Sequence, residues 1–134
     1  MAMLKRPLAR PAAGILPSRQ QAQPALLRML SRARRRAGGL TLVQVRDDGA
    51  GETGFQRFLA ELAAELRIQD LAWQEAGGVV MILLEDTPGE PTAVLGRLER
   101  RARLAGARPA WRWARFPEQG LTLQALLEAV QWAC

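Results

Sequence analysis

The chain has 134 residues, no histidine and a single cysteine, Cys134. This composition excludes a disulfide framework and a metal centre built from His and Cys ligands, and a reducing cytoplasm is the expected compartment. Hydrophobic residues make up 49% and charged residues 24%, which is typical of one globular domain. The net charge is +6, carried almost entirely by arginine. Such an excess fits either a phosphate-bearing partner or a GC-rich genome.

The first 13 residues are basic and contain Pro7 and Pro11. A secretory signal would need an unbroken apolar stretch here, so residues 1–13 are predicted to form a disordered basic leader and residues 14–134 the domain. No apolar run approaches the ~18 residues of a membrane span.

Hydrophobic periodicity predicts elements in the order α-β-α-β-β-α-β-α. Pro24 is placed in the first turn of the first helix, and Thr53 and Gln56 form a predicted capping box on the second. Gly77-Gly78 predicts a hairpin turn between two β-prone runs. Helices combined with a hairpin imply an α/β fold of the α+β type, in which helices pack on a mixed sheet. The predicted elements are helix 24–37, strand 40–45, helix 53–68, hairpin 71–85, helix 91–104, strand 109–116 and helix 121–134.

Short segments in the same order resemble motifs of the bacterial diguanylate cyclase (GGDEF) domain. GILPSR (14–19) is similar to its opening TGLPNR, and RARRRAGGLTLVQVR (32–46) to the segment that leads into its first strand. RIQD (67–70) resembles the RxxD inhibitory-site motif, and AGGVV (76–80) stands five residues later in the place of the signature. WARFPEQGLT (113–122) resembles GVAxYPxDGxT. The resemblance covers all but the leader and implies a nucleotidyl-cyclase-like central sheet flanked by helices.

The catalytic motifs depart from the family pattern. Gln44 and Arg46 replace two aspartates at the end of the metal-binding strand, and Val79 and Val80 replace the acidic and aromatic residues of the signature. Cyclisation of GTP needs carboxylates that hold Mg²⁺ against the triphosphate. The stretch after Gln44 is also too short for the family's Phe-Lys and Asn-Asp substrate contacts. The comparison therefore implies a domain with no catalytic residues and no metal site.

The RIQD motif is the part of the chemistry that remains. In the family this Arg and Asp bind cyclic di-GMP, so the resemblance implies that Arg67 donates to a guanine O6/N7 edge or a phosphate, and that Asp70 accepts from a guanine N1–H and amino edge. A third arginine normally follows the hairpin. Arg97 matches it if one loop residue has been lost, and Arg101 lies one turn further along the same face. The alternative is that Arg67 and Asp70 form only a local ion pair.

The four tryptophans are expected in different places. Trp111 and Trp113 alternate with Arg112 at strand spacing and are expected in the core. Trp132 is expected to pack the last helix. Trp73, just beyond RIQD, is the tryptophan expected near a ligand.

These features predict a cytoplasmic, non-catalytic effector that takes cyclic di-GMP as its ligand, without other cofactors, and regulates an unidentified protein partner. Degenerate members of the family regulate exopolysaccharide secretion of the cellulose type, which suggests a role in biofilm control. A homodimer is compatible with this prediction. One alternative is a ligand-free protein-interaction module, and another is a basic nucleic-acid-binding domain. Nucleic acid is not expected as a partner, because the arginine run within 32–36 lies at a helix C-terminus, where cations are favourable anyway.

Overall fold

A computed structural model describes residues 16–36, 38–47, 52–67, 69–75, 78–85 and 92–130. The predicted order of elements is confirmed. No helix within these ranges is long and apolar enough to cross a membrane. The predicted leader, the side chain of Thr53 and Trp132 lie outside what the structure describes. The elements are α1 (Arg19–Arg36), β1 (Leu40–Asp47), α2 (Glu52–Glu65), β2 (Leu71–Glu75), β3 (Val79–Glu85), α3 (Thr92–Leu104), β4 (Pro109–Phe116) and α4 (Leu123–Val130).

The four strands form one sheet in the order β2-β3-β1-β4, and all three strand pairs are antiparallel. β2 and β3 form the predicted hairpin, in which Glu75 lies opposite Val79. Gly78 has a φ of 74°, a conformation that glycine adopts without steric cost. Parallel pairing in the described segments is limited to a bridge between Ser18 and Gln74. The expected α+β fold, with helices on a central sheet, is confirmed, but the described strands form an antiparallel sheet rather than the mixed sheet predicted.

Two cores lie on opposite faces of the sheet, and the side chains of β1 alternate between them. Leu40 and Leu42 face the core formed with α1 and α4, whereas Val43 and Val45 face the core formed with α2 and α3. All four side chains are fully buried. Because helices cover both faces of the sheet, this strand carries apolar residues on each of them.

The first helix begins earlier than predicted. Ser18 and Gln21 form a reciprocal capping box: Ser18 Oγ accepts from Gln21 N at 3.2 Å, and Gln21 Oε1 accepts from Ser18 N at 2.9 Å. Pro24 therefore lies inside α1 rather than in its first turn, and that prediction is wrong. The S-x-x-Q pattern of the cap was visible in the sequence and outweighs the proline as a start signal.

The tryptophans divide between the two cores. Trp73 is fully buried in the core beneath α1, where its Nε1 donates to Glu75 Oε2 at 2.7 Å. The expectation that Trp73 lies near a ligand is therefore wrong, because its side chain points into the protein. Trp111 and Trp113 pack half-buried against the core of α2 and α3, as expected.

Candidate functional site

Arg67 and Asp70 lie in the turn between α2 and β2, because α2 ends at Glu65, three residues earlier than predicted. Asp70 N donates to Arg67 O at 3.0 Å and closes the turn. The Arg67 guanidinium donates through Nη2 to Asp70 Oδ1 at 3.1 Å and through Nε to Oδ2 at 3.2 Å. The predicted proximity of these two side chains is confirmed.

The carboxylate of Asp70 is buried and accepts more hydrogen bonds than a carboxylate in a surface ion pair normally does. Its side chain is 3% exposed. Oδ2 also accepts from the backbone N–H of Arg67 at 3.0 Å, and Oδ1 from the backbone N–H of Glu85 at 3.1 Å. Each oxygen thus has two donors. A guanine can reach Asp70 only if the Arg67 guanidinium moves away from it.

Glu85, the last residue of β3, connects this turn to α1. Its backbone carbonyl accepts from Arg67 Nη2, and its carboxylate accepts from Arg32 Nε at 2.8 Å. Glu85 is 8% exposed, so a buried carboxylate has its ion-pair partner on α1. Sequence reasoning did not identify Glu85; the available signal was one acidic residue at the end of an apolar strand.

Arg97 and Arg101 lie on α3 and share a carboxylate on α2. Glu65 is 3.6 Å from Arg97 Nε and 2.6 Å from Arg101 Nε, and Glu61 is 3.5 Å from Arg101 Nη1. The hydrogen bond to Glu65, with the charges of Glu65 and Glu61, raises the pKa of Arg101 above its ordinary value. Glu65 is two residues before Arg67 in the chain, but the cavity that Arg97 and Arg101 line does not include Arg67 or Asp70.

The guanidinium groups at this end of α2 remain partly accessible. The side chains of Arg67, Arg97 and Arg101 are 48%, 51% and 40% exposed. A shallow cavity of about 160 Å³ is lined by Glu65, Arg97 and Arg101, together with Arg100 and Leu104. Guanidinium groups in such a position can donate paired hydrogen bonds to a phosphate or to a guanine O6/N7 edge.

The signature region lies on the α1 and α4 side of the sheet. Arg46 pairs with Val79 across β1 and β3, so the end of β1 lies beside the start of β3. Gln44 and Val79 line one cavity of about 370 Å³. Glu75 also lines it and forms a bidentate ion pair with Arg19, at 2.7 and 2.9 Å.

These side chains do not fit Mg²⁺. Gln44 supplies one amide oxygen, whereas Arg46 and Val79 supply no oxygen from their side chains. Glu75 is occupied by Arg19 and, through Oε2, by the Trp73 indole. Among the described residues, no group of three or more Asp, Glu or Cys could hold a metal ion. We therefore derive no metal-assisted step from this cavity.

No protein-family model matches the sequence, and no curated protein matches it. Solved structures do. A diguanylate cyclase (DGC) protein from Thermotoga maritima is 13% identical, with a TM-score of 0.75, over 90% of this chain and 100% of its own. The GGDEF domain of YfiN from Pseudomonas aeruginosa is 20% identical, with a TM-score of 0.71, over 90% of this chain and 83% of its own. The GGDEF domain of DgcB from Caulobacter crescentus, in complex with c-di-GMP, is 13% identical, with a TM-score of 0.68, over 97% and 87%. The chain therefore has the fold of a GGDEF domain.

Proposed function

We propose that this chain is a non-catalytic GGDEF-fold domain that binds cyclic di-GMP and thereby regulates a partner protein. The observation that carries the proposal is that the guanidinium groups of Arg67, Arg97 and Arg101 are partly exposed, and that Arg97 and Arg101 pair with Glu65, two residues before Arg67. Cyclic di-GMP offers two phosphates and two guanine edges, which are the acceptors that guanidinium groups prefer. The similarity to DgcB, whose GGDEF domain was solved with c-di-GMP, supports the same ligand class.

Asp70 has a positioning role in this proposal. When Arg67 turns toward a phosphate or guanine, its two side-chain contacts with Asp70 are released. The carboxylate keeps the backbone N–H groups of Arg67 and Glu85, so the turn retains its shape. One lone pair on each oxygen is then free to accept from a guanine N1–H and amino edge.

The absence of catalysis is proposed from the residues that replace the metal ligands. Gln44, Arg46 and Val79 lie together, and none is a carboxylate. With no reaction of its own, the domain acts through a protein partner. We place this role in the cytoplasm and in the regulation of exopolysaccharide synthesis or biofilm formation, and a homodimer is compatible with it.

Isothermal titration with cyclic di-GMP, with GTP as the control nucleotide, tests the proposal. The wild-type chain should bind cyclic di-GMP and not GTP. Arg67→Ala should lower the affinity about tenfold or more, since each charge-assisted hydrogen bond is worth about 1.5–3 kcal/mol. Arg103→Ala is the matched control, because Arg103 is 74% exposed and pairs with Glu99 on α3. Equal affinities for the wild type and Arg67→Ala contradict the proposed site.

A second candidate function is a ligand-free docking module. It is favoured by the saturated carboxylate of Asp70 and by the ion pairs that Glu65 already makes with Arg97 and Arg101. In that case the arginines hold the turn and the two helices together. A folded wild-type chain that binds no cyclic di-GMP at tens of micromolar ligand supports this second function.

A further inference from the structure

The outward face of α1 carries positive charge that the described structure does not neutralise. The helix contains six arginines and no acidic residue. Two of them reach carboxylates of the sheet: Arg19 pairs with Glu75 at 2.7 Å and Arg32 with Glu85 at 2.8 Å. The charge of the other four is not balanced from within the helix.

Arg28, Arg35 and Arg36 are exposed. Arg35 donates to the neutral hydroxyl of Ser31 at 2.8 Å. Across the described segments, none of these three guanidinium groups lies within 4 Å of a carboxylate oxygen. Three full positive charges therefore remain near the C-terminal half of one helix.

The helical repeat places these charges on one side. With 3.6 residues per turn, Arg28, Arg32, Arg35 and Arg36 fall within an arc of about 100°, and eight residues span about 12 Å along the axis. The favourable field of a helix C-terminus falls off within the last turn, so it does not account for Arg28, two turns earlier. The favourable placement of cations at a helix C-terminus therefore accounts for only some of these arginines. The buried stripe of Ala22, Leu26, Met29, Leu30 and Ala33 lies beside this arc and does not overlap it.

We propose that this α1 arginine face (Arg28, Arg35 and Arg36) binds the phosphate backbone of duplex nucleic acid. Duplex DNA carries about one negative charge per 1.7 Å of axis, so a 12 Å row of guanidinium groups meets several phosphates. The net charge of +6 adds long-range attraction. The proposal is independent of cyclic di-GMP binding.

Two features select duplex backbone over other anionic partners. A protein interface normally has an apolar or aromatic centre, whereas Ala25 lies within the arc of these arginines and the exposed Leu27 (48%) lies outside it. Single strands are held largely by stacking on exposed aromatic rings. Trp73 is fully buried, and Trp111 and Trp113 pack on the opposite face of the sheet from α1.

Fluorescence polarisation with a labelled 20-base-pair DNA duplex and the full chain tests the proposal across a salt series. Arg28→Ala/Arg35→Ala/Arg36→Ala should weaken binding at least about tenfold near 50 mM salt and reduce the log–log salt slope by about 3. The matched control, Arg57→Ala/Arg103→Ala/Arg108→Ala, removes the same charge from exposed positions away from α1 and should change the affinity little.

The outcomes distinguish binding through the α1 arginine face from a general effect of the net charge of the chain. Equal losses in the two triple variants, or no duplex binding by the wild type, overturn the proposal. Polyglutamate that displaces the duplex at equal charge concentration also overturns it, in favour of an acidic polypeptide. If the first triple variant loses helicity by circular dichroism, Arg28→Gln alone replaces it, because Arg28 lies outside the last turn. That variant should reduce the salt slope by about 1, and an unchanged slope contradicts the proposal.

Discussion

The carboxylate of Asp70 accepts a hydrogen bond from the backbone N–H of Glu85 at 3.1 Å. Asp70 immediately precedes β2 and Glu85 ends β3, so this bond closes the β2–β3 hairpin at the end opposite its turn. The RxxD aspartate is thus part of the framework as well as of the candidate ligand site. Its removal has consequences that can be measured without any ligand.

Asp70→Ala should lower the free energy of unfolding by about 2 kcal/mol or more. The backbone N–H groups of Arg67 and Glu85 lose an acceptor, and an unsatisfied buried polar group costs about 1–3 kcal/mol. Urea denaturation followed by circular dichroism measures the change. Glu118→Ala is the control, since Glu118 is 60% exposed, lies 3.6 Å from Arg115 and should matter by less than about 1 kcal/mol. If both substitutions changed the free energy of unfolding by a similarly small amount, Arg67 and Asp70 would form only a local ion pair.

Substitution of two helical glycines by alanine should change the stability of the fold in opposite directions. A Cβ on Gly54 of α2 would lie 2.5 Å from the backbone oxygen of Gly106, which follows α3, so Gly54→Ala should destabilise the fold by about 1–3 kcal/mol. A Cβ on Gly96 of α3 meets nothing within 4 Å, so Gly96→Ala should stabilise it by about 0.5–1 kcal/mol. Thermal unfolding midpoints should move in opposite directions. Two shifts of the same sign contradict the packing of α2 against the segment after α3.

Trp73→Ala should be among the most destabilising single substitutions, at about 3–5 kcal/mol, because it empties a fully buried site. Trp113→Ala should cost less, since Trp113 is only half-buried. Trp73→Phe keeps most of the volume and should leave affinity for cyclic di-GMP unchanged, as the ring does not reach the surface. If Trp73→Phe selectively lowered the affinity for cyclic di-GMP, Trp73 would belong to the ligand site after all.

The eight elements were predictable because each carries its own local pattern. β1 is apolar on both faces, α2 has an amphipathic stripe, and Gly77-Gly78 punctuates the hairpin. The predicted start of α1 is too late because the sequence holds two competing local signals, Pro24 and the S-x-x-Q cap at Ser18. The hydrogen bonds of the cap show which of the two decides where the helix begins.

The network around the candidate site was predictable only in part. The Arg67–Asp70 contact follows from their three-residue spacing, and the shared face of Arg97 and Arg101 follows from the helical repeat. The bond from Glu85 to Asp70 and the ion pair with Arg32 depend on strand register and on which helix covers β3. Such contacts between distant segments have no signature in the sequence of either segment.

Purified chain incubated with GTP and Mg²⁺ or Mn²⁺ should form no cyclic di-GMP. Phosphoryl transfer of this kind depends on carboxylates that hold the metal against the triphosphate. Here Gln44 and Val79 line the cavity beside the hairpin. Two carboxylates also line it: Glu75 is bound by Arg19 and Trp73, and Glu128 accepts from Gln124. Chromatography of the nucleotides, with a diguanylate cyclase of known activity as positive control, provides the measurement. Product that increases in proportion to the concentration of the chain would overturn the non-catalytic proposal, and its loss in Glu75→Gln would identify this carboxylate as the one that serves catalysis.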